Sequence, residues 1–221
     1  MVTYPRSASI VLAAILWTVI CIWPPHFVAA DGSTEDFDQR ALARVATPPL
    51  GLPKVFIPGN NPLTAAKIAL GRKLFFDRRL SHNRTMSCGM CHIPEQGFTN
   101  NEVATPIGVR GRSLRRNAPT SYNIAYLESM FHDARDTSLE TQIFGPLLAR
   151  EEMANPSIGF VFATIEAAPD YEDLFETAFD EPANAHNLGL ALASYERTIL
   201  SANSPFDQWK YGGDESAVSA Q

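Results

Sequence analysis

The chain has 221 residues, a formal net charge of −6 and 45% hydrophobic residues, enough for one domain of good size. An acidic balance of this kind carries no electrostatic footprint for nucleic acid or anionic lipid, so neither is expected as a partner.

Residues 1–30 read as a secretory signal. Arg6 is the only charge there, an apolar run extends from Ile10 to Trp23, and Val28-Ala29-Ala30 offers small residues for cleavage before Asp31. The run covers about 14 residues, short of the roughly 20 that span a bilayer as a helix, so cleavage is expected and stable membrane insertion is not. Cys21 follows Ile20, which is bulkier than the small residue a lipoprotein signal wants. Cleavage takes the net charge from −6 to −7 and leaves an exported chain, periplasmic by expectation, whose only cysteines are Cys88 and Cys91.

Residues 31–60 form a polar, then Pro-rich lead-in. Thr47-Pro48-Pro49-Leu50-Gly51-Leu52-Pro53 cannot sustain a helix, and the whole segment is expected to lie extended. The main domain, residues 61–210, opens with Thr64 capping a helix over Ala65 to Phe76, whose Ile68, Leu70, Leu74 and Phe75 form a broad apolar face. Ser81 to Leu114 lacks a period and reads as loop apart from a short turn at the cysteines. A loop of this length is usually functional.

Helical signals return at Asn117. Ala118 to Tyr126 is expected as a short helix with Pro119 in its first turn. Ser138 caps a segment with Leu139, Ile143 and Phe144 that Gly145-Pro146 ends or bends, and Asn155-Pro156 opens another with Ile158, Phe160, Val161, Phe162 and Ile165. Asp170 starts a segment from Tyr171 to Phe179, and Asn187 to Ala202 is expected to be the longest helix. Residues 211–221 read as an acidic linker tail. With no alternating strand pattern, the class is all-α.

Cys88-Gly89-Met90-Cys91-His92 is the one strong motif. Thiols three residues apart sit about one helical turn apart and can both reach the vinyl groups on one edge of a porphyrin, while the adjacent histidine presents its imidazole to the iron. The alternatives are zinc, a redox pair or a disulfide. Zinc wants four ligands, whereas the remaining histidines of the exported chain, His82, His132 and His186, are scattered. A redox pair of the thioredoxin kind wants a βαβ context. The expectation is a cytochrome c-like helical domain with long loops around one covalent haem c. On the opposite face Met130, Met153 or His132 could supply a sixth ligand and make an electron carrier, although each is as readily a core filler or, for His132, a partly exposed side chain.

Several segments resemble the bacterial di-haem cytochrome c peroxidases, a superfamily that includes maturation enzymes oxidising tryptophan residues of partner proteins. They are Asn61 to Leu80, Cys88 to His92, Arg116-Asn117-Ala118-Pro119-Thr120, Asp133-Ala134-Arg135, Leu139 to Gln142, Glu152-Met153 and Ser204-Pro205-Phe206-Asp207. The resemblance implies that this haem is the peroxidatic one, with Gln142 and Glu152 above it. A carboxylate there can shuttle the proton that O–O cleavage requires, and an amide can orient the bound oxygens. Without the resemblance, Glu152 reads as a solvated acid beside Glu151 and Gln142 as an ordinary helix residue.

The resemblance also implies that Asn117 corresponds to a residue associated with calcium, and that electrons come from a donor cytochrome or cupredoxin, or from a chain bearing a second haem. Relatives that need reductive activation carry a removable histidine after the Ile-Gly that here is Ile107-Gly108. Val109 in its place implies a haem open without activation. His132 stands where many relatives have a tryptophan implicated in electron transfer. Relatives continue into a second domain with its own C-x-x-C-H, and Asp214 to Gln221 falls where that domain would begin, so the chain is read as the peroxidatic half. The implied reaction is reduction of hydrogen peroxide. The alternatives are a mono-haem electron-transfer cytochrome, an oxidative maturation enzyme acting on a partner protein, and a non-catalytic remnant.

Overall fold

A computed structural model describes residues 34–219, so the expected leader lies outside the described residues. The helices are α1 (Thr34–Ala46), α2 (Ala65–Phe76), α3 (Cys88–Cys91), α4 (Leu139–Gln142), α5 (Phe144–Leu148), α6 (Ile158–Glu166), α7 (Leu174–Phe179), α8 (Ala185–Glu196) and α9 (Pro205–Gly212). Among the described residues no strand forms, only isolated bridges such as Ile93 with Thr99, and the fold is all-α as expected. No helix among them is long and apolar enough to cross a membrane.

The scaffold is the pair α2 and α8. Thr64 caps α2 by accepting the Lys67 N–H at 3.2 Å. Asn184 and Asn187 form a reciprocal capping box that starts α8. Ile68, Leu70, Leu74 and Phe75 pack with Leu188, Ala191, Leu192 and Tyr195, all nearly free of solvent. Each large apolar side chain buried this way contributes about 1.5–3 kcal/mol. The two helices approach so closely at Gly71 that a Cβ there would collide with the Ala191 carbonyl. Val161 of α6 and Phe175 of α7 close the same core.

A buried polar cluster joins this pair to α4. Arg197 donates to Glu140 at 2.7 Å, and the Asn61 amide donates to the same oxygen and to the Leu190 carbonyl, at 3.1 Å each. Burial works against the Glu140 charge. The hydrogen bonds from Arg197 and Asn61, the Arg197 charge and the Ser138 hydroxyl outweigh it and hold this carboxyl at about 2.

Several expectations need correction. Residues 34–46 are helical rather than extended. The buried face of α1 carries only Asp38, Ala41 and Val45, and Asp38 is buried because Arg72 of α2 grips both its oxygens at 3.0 and 2.9 Å. An apolar period was too sparse to show this. Residues 118–123 are not helical, and only a 3₁₀ turn at Ile124–Tyr126 remains. Their polar groups bond across the fold instead: Ser121 N–H to Phe98 C=O at 3.0 Å, Asn123 N–H to Ile199 C=O at 2.8 Å, and the Thr120 hydroxyl to Gly97 C=O at 2.6 Å.

The break after α4 falls at Ile143, and Pro146 sits in the first turn of α5, where a missing N–H costs nothing. Asp170 does not start α7. It pairs with Lys73 and Arg79, and Asp173, at φ 60°, separates a 3₁₀ turn from the helix. Helix α8 begins earlier and ends earlier than expected, at Glu196, and α9 crosses the expected boundary at residue 210 before Gly213, at φ 73°, ends it.

Candidate functional site

The C-x-x-C-H segment is delivered by a pinned loop. The buried Ser81 hydroxyl accepts the N–H groups of Thr85 and Met86 at 3.0 and 2.9 Å and donates to the Arg78 carbonyl. One helical turn, α3, follows, with the His92 N–H on the Cys88 carbonyl at 2.9 Å. The turn brings Cys88 and Cys91 to one side as free, half-buried thiols. Burial pushes both up, Cys88 to about 12 with the Glu196 charge adding and Cys91 to about 11 with Glu152 adding. Among the described residues no group of three or more His, Cys, Asp and Glu side chains could hold a metal ion.

His92 leaves the helix and is fixed from behind. Its Nδ1 lies 3.1 Å from the Phe98 carbonyl and 3.2 Å from the Ser121 hydroxyl. Donation to the carbonyl makes Nδ1 the protonated nitrogen and leaves Nε2 with its lone pair, as in an axial imidazole ligand. Burial holds the ring neutral against the backbone contacts of Phe98 and Pro119. Phe98 presents its carbonyl from a left-handed backbone, at φ 52°, a conformation uncommon for a bulky residue.

A cavity of about 420 Å³ opens beside this imidazole, with a smaller one of about 60 Å³ sharing its walls. Both are lined by Cys91, His92, Gln142, Pro146, Glu152 and Glu196. The thiols, the imidazole with one nitrogen committed and the apolar walls of Phe75, Leu147 and Leu192 fit a covalently attached haem. Gln142 comes from the end of α4 and Glu152 from the turn after α5.

That turn is clamped by the Ile107-Gly108-Val109 loop. The Val109 N–H donates to the Glu152 carbonyl at 2.9 Å, and a Cβ at Gly108 would collide with the Glu151 carbonyl. Burial raises the Glu152 pKa, the Arg135 charge pulls it back, and Glu151 adds to the rise.

The other sequence-predicted residues are spread around these walls. Met130 is buried on the larger cavity and Met153 on the smaller. His132 is exposed, with Nε2 at 3.1 Å from the Asn117 carbonyl oxygen. Asn117 lines the larger cavity, its amide on the Val103 carbonyl at 3.4 Å. Sequence reasoning missed Glu196, the last residue of α8, whose Oε2 is covered from solvent and has no hydrogen-bond partner. The signal was present as a charged Glu196-Arg197 pair ending an apolar helix, but it reads equally as an ordinary helix terminus.

The sequence profile of the di-haem cytochrome c peroxidase family matches residues 65–216. Methylamine utilization protein MauG of Methylorubrum extorquens is 38% identical over 93% of this chain and 59% of its own length. Cytochrome c551 peroxidase of Pseudomonas aeruginosa is 36% identical over 73% of this chain and 47% of its own length. Cytochrome c peroxidase Ccp of Escherichia coli is 37% identical over 75% and 35%. The chain thus spans from about a third to three fifths of the length of these relatives.

Among solved structures, a MauG-like protein associated with microbial copper homeostasis superimposes with a TM-score of 0.68 at 28% identity, over 78% of this chain and 50% of the other. The diheme peroxidase BthA of Burkholderia thailandensis gives 0.61 at 26% identity, over 67% and 43%. On the extent of the profile match and the identity of these relatives, the chain belongs to the di-haem cytochrome c peroxidase family.

Proposed function

We propose that residues 61–210 form the peroxidatic haem domain of a periplasmic cytochrome c peroxidase-like enzyme. It reduces hydrogen peroxide with electrons from another haem or from a donor cytochrome or cupredoxin. The observation that supports this reading is the convergence of Cys91, His92, Gln142 and Glu152 on one cavity. Haem c held by Cys88, Cys91 and His92 Nε2 would supply the redox iron.

Reducing one peroxide to two waters takes two electrons and two protons, and heterolysis needs a proton moved from one peroxide oxygen to the other. Glu152 suits that transfer, because burial makes its carboxyl hold a proton more readily than an exposed one while Arg135 keeps the ionised form accessible. The Gln142 amide offers a donor and an acceptor for orienting the oxygens. Asn117 would offer a carbonyl oxygen to calcium, with the other ligands coming from elsewhere.

Stopped-flow mixing of the haem-loaded ferric protein with peroxide tests this reading. Glu152→Gln should slow the reaction by about 10²–10⁴-fold with haem content unchanged, and Gln142→Ala should cost less. A Glu152→Gln rate equal to wild type would remove Glu152 from the chemistry.

A second reading is oxidative maturation of a partner protein's side chain. Val109 favours it, being buried where relatives needing activation carry a histidine. Either reading expects a substantially high-spin ferric haem without prior reduction. A purely low-spin spectrum at neutral pH would instead indicate a mono-haem electron carrier, ligated by Met130, His132 or Met153.

A further inference from the structure

Two carboxyl groups line both cavities, and the proton transfer between peroxide oxygens accounts for only one of them. Glu196 ends α8 one turn after Leu192, and both face the cavity. Its Oε2 is shielded from solvent without a hydrogen-bond partner, the costliest condition for a carboxylate oxygen.

The charge of the adjoining Arg197 relieves this only in part, and no neighbouring group donates a hydrogen bond. Arg197 is directed to Glu140 of α4. On α2, Lys67 donates to the Pro62 carbonyl, Arg72 is paired with Asp38 and Lys73 with Asp170. From α3 the nearby groups are the neutral thiols Cys88 and Cys91, and from the turn after α5 they are the acids Glu151 and Glu152. His92 Nδ1 is engaged by Phe98 and Ser121. Of the arginines on the larger cavity's wall, Arg116 and Arg135 are tied to Asp133 and Arg115 is exposed to solvent.

We propose that Glu196 is a redox-linked proton site of the haem cavity, binding one proton from solvent when the haem iron is reduced from ferric to ferrous. The inference rests on the haem reading above, though not on the role given to Glu152. An added electron makes a low-dielectric cavity more negative, and a carboxylate with a covered oxygen and no hydrogen-bonded counter-charge is a group whose protonation offsets it. Where Glu196 is ionised in the ferric protein, one electron and one proton enter together and the net charge of the cavity is unchanged. The reaction needs two protons beyond those of peroxide, and this site would bring one of them inside before the chemistry begins. Glu196 would act as a positioning group for protons and need not touch peroxide.

The test is a redox titration of the haem-loaded protein against pH, with electrons supplied by mediators. Burial places the Glu196 carboxyl at about 8, with Arg197 lowering it and Glu140 raising it. The ferrous state holds the proton more tightly, so the wild-type midpoint should be flat at neutral pH and fall with rising pH above about 8, by up to about 59 mV per unit. Glu196→Gln should flatten that slope while keeping the haem. Reduced-minus-oxidised infrared spectra should show a protonated-carboxyl band that persists in Glu152→Gln and disappears in Glu196→Gln. If Glu196→Gln keeps the wild-type slope and band, the inference is overturned and the haem reading stands. A protein that attaches no haem overturns both. If Glu196→Gln does not fold, Glu196→Asp should shift the position of the slope on the pH axis, and an unshifted slope would contradict the assignment.

Discussion

Along α2 and α8 no residue has a positive φ, and the contacts between the helices are apolar. Outside these two helices Arg84, Phe98, Arg110, Asn123, Phe131, Ala134, Ala154, Asp173, Asp180 and Asn203 all do, although none is glycine, and Phe131 among them lines the larger cavity. Left-handed non-glycine residues cost of order 1–3 kcal/mol each and persist where the surroundings over-determine them. Two of them are held by backbone hydrogen bonds to distant segments: the Phe98 carbonyl receives Ser121 N–H, and Asn123 N–H reaches Ile199. The scaffold is therefore held by its own side chains. The loop behind His92 is held instead by backbone hydrogen bonds between segments distant in the chain.

The contrast can be broken from the scaffold side. Phe75 is 1% exposed and lies under the His92 ring, with centroids 6.4 Å apart. Phe75→Ala should cost about 3–5 kcal/mol of stability in the haem-loaded protein, read by chemical denaturation. A loss under about 1 kcal/mol would mean that the haem and not the helix pair carries the fold.

A smaller effect sharpens the link between the two regions. Glu140 and Glu196 flank Arg197, and only Glu140 receives its hydrogen bond. Glu140 sits at about 2, below its unfolded value, so its stabilisation is present above about pH 4.3 and is lost as pH falls toward 2. Glu196 sits at about 8, above its unfolded value, so its contribution is full below about pH 4.3 and is lost as pH rises through 8. In melting temperature against pH, Glu140→Gln should flatten the acid limb and Glu196→Gln the alkaline one. Identical profiles for the two variants would show that Arg197 does not discriminate between them.

The parts of the fold legible in the sequence are those whose causes are local. Thr64 and the apolar face of α2 lie within one short window, and the α2 bounds match what that window implies. The C-x-x-C-H spacing likewise states its own geometry. Helix α1 was not legible because Asp38 becomes a buried residue only through Arg72, 34 positions away. The 118–123 segment misled because its donors are taken by residues 97–98 and 199, contacts invisible to a helical period. Glu196 was hidden for the same reason: its meaning comes from Cys88 and Glu152 across the cavity, not from its neighbours in α8.

The central claim is that Cys88 and Cys91 carry a haem whose iron His92 ligates. The most direct measurement is the intact mass of the denatured protein after expression with haem-maturation machinery, alongside acid-acetone extraction. The account predicts one haem retained on the denatured chain with both thiols consumed. Haem that extracts freely, with a mass showing two free thiols, would contradict it.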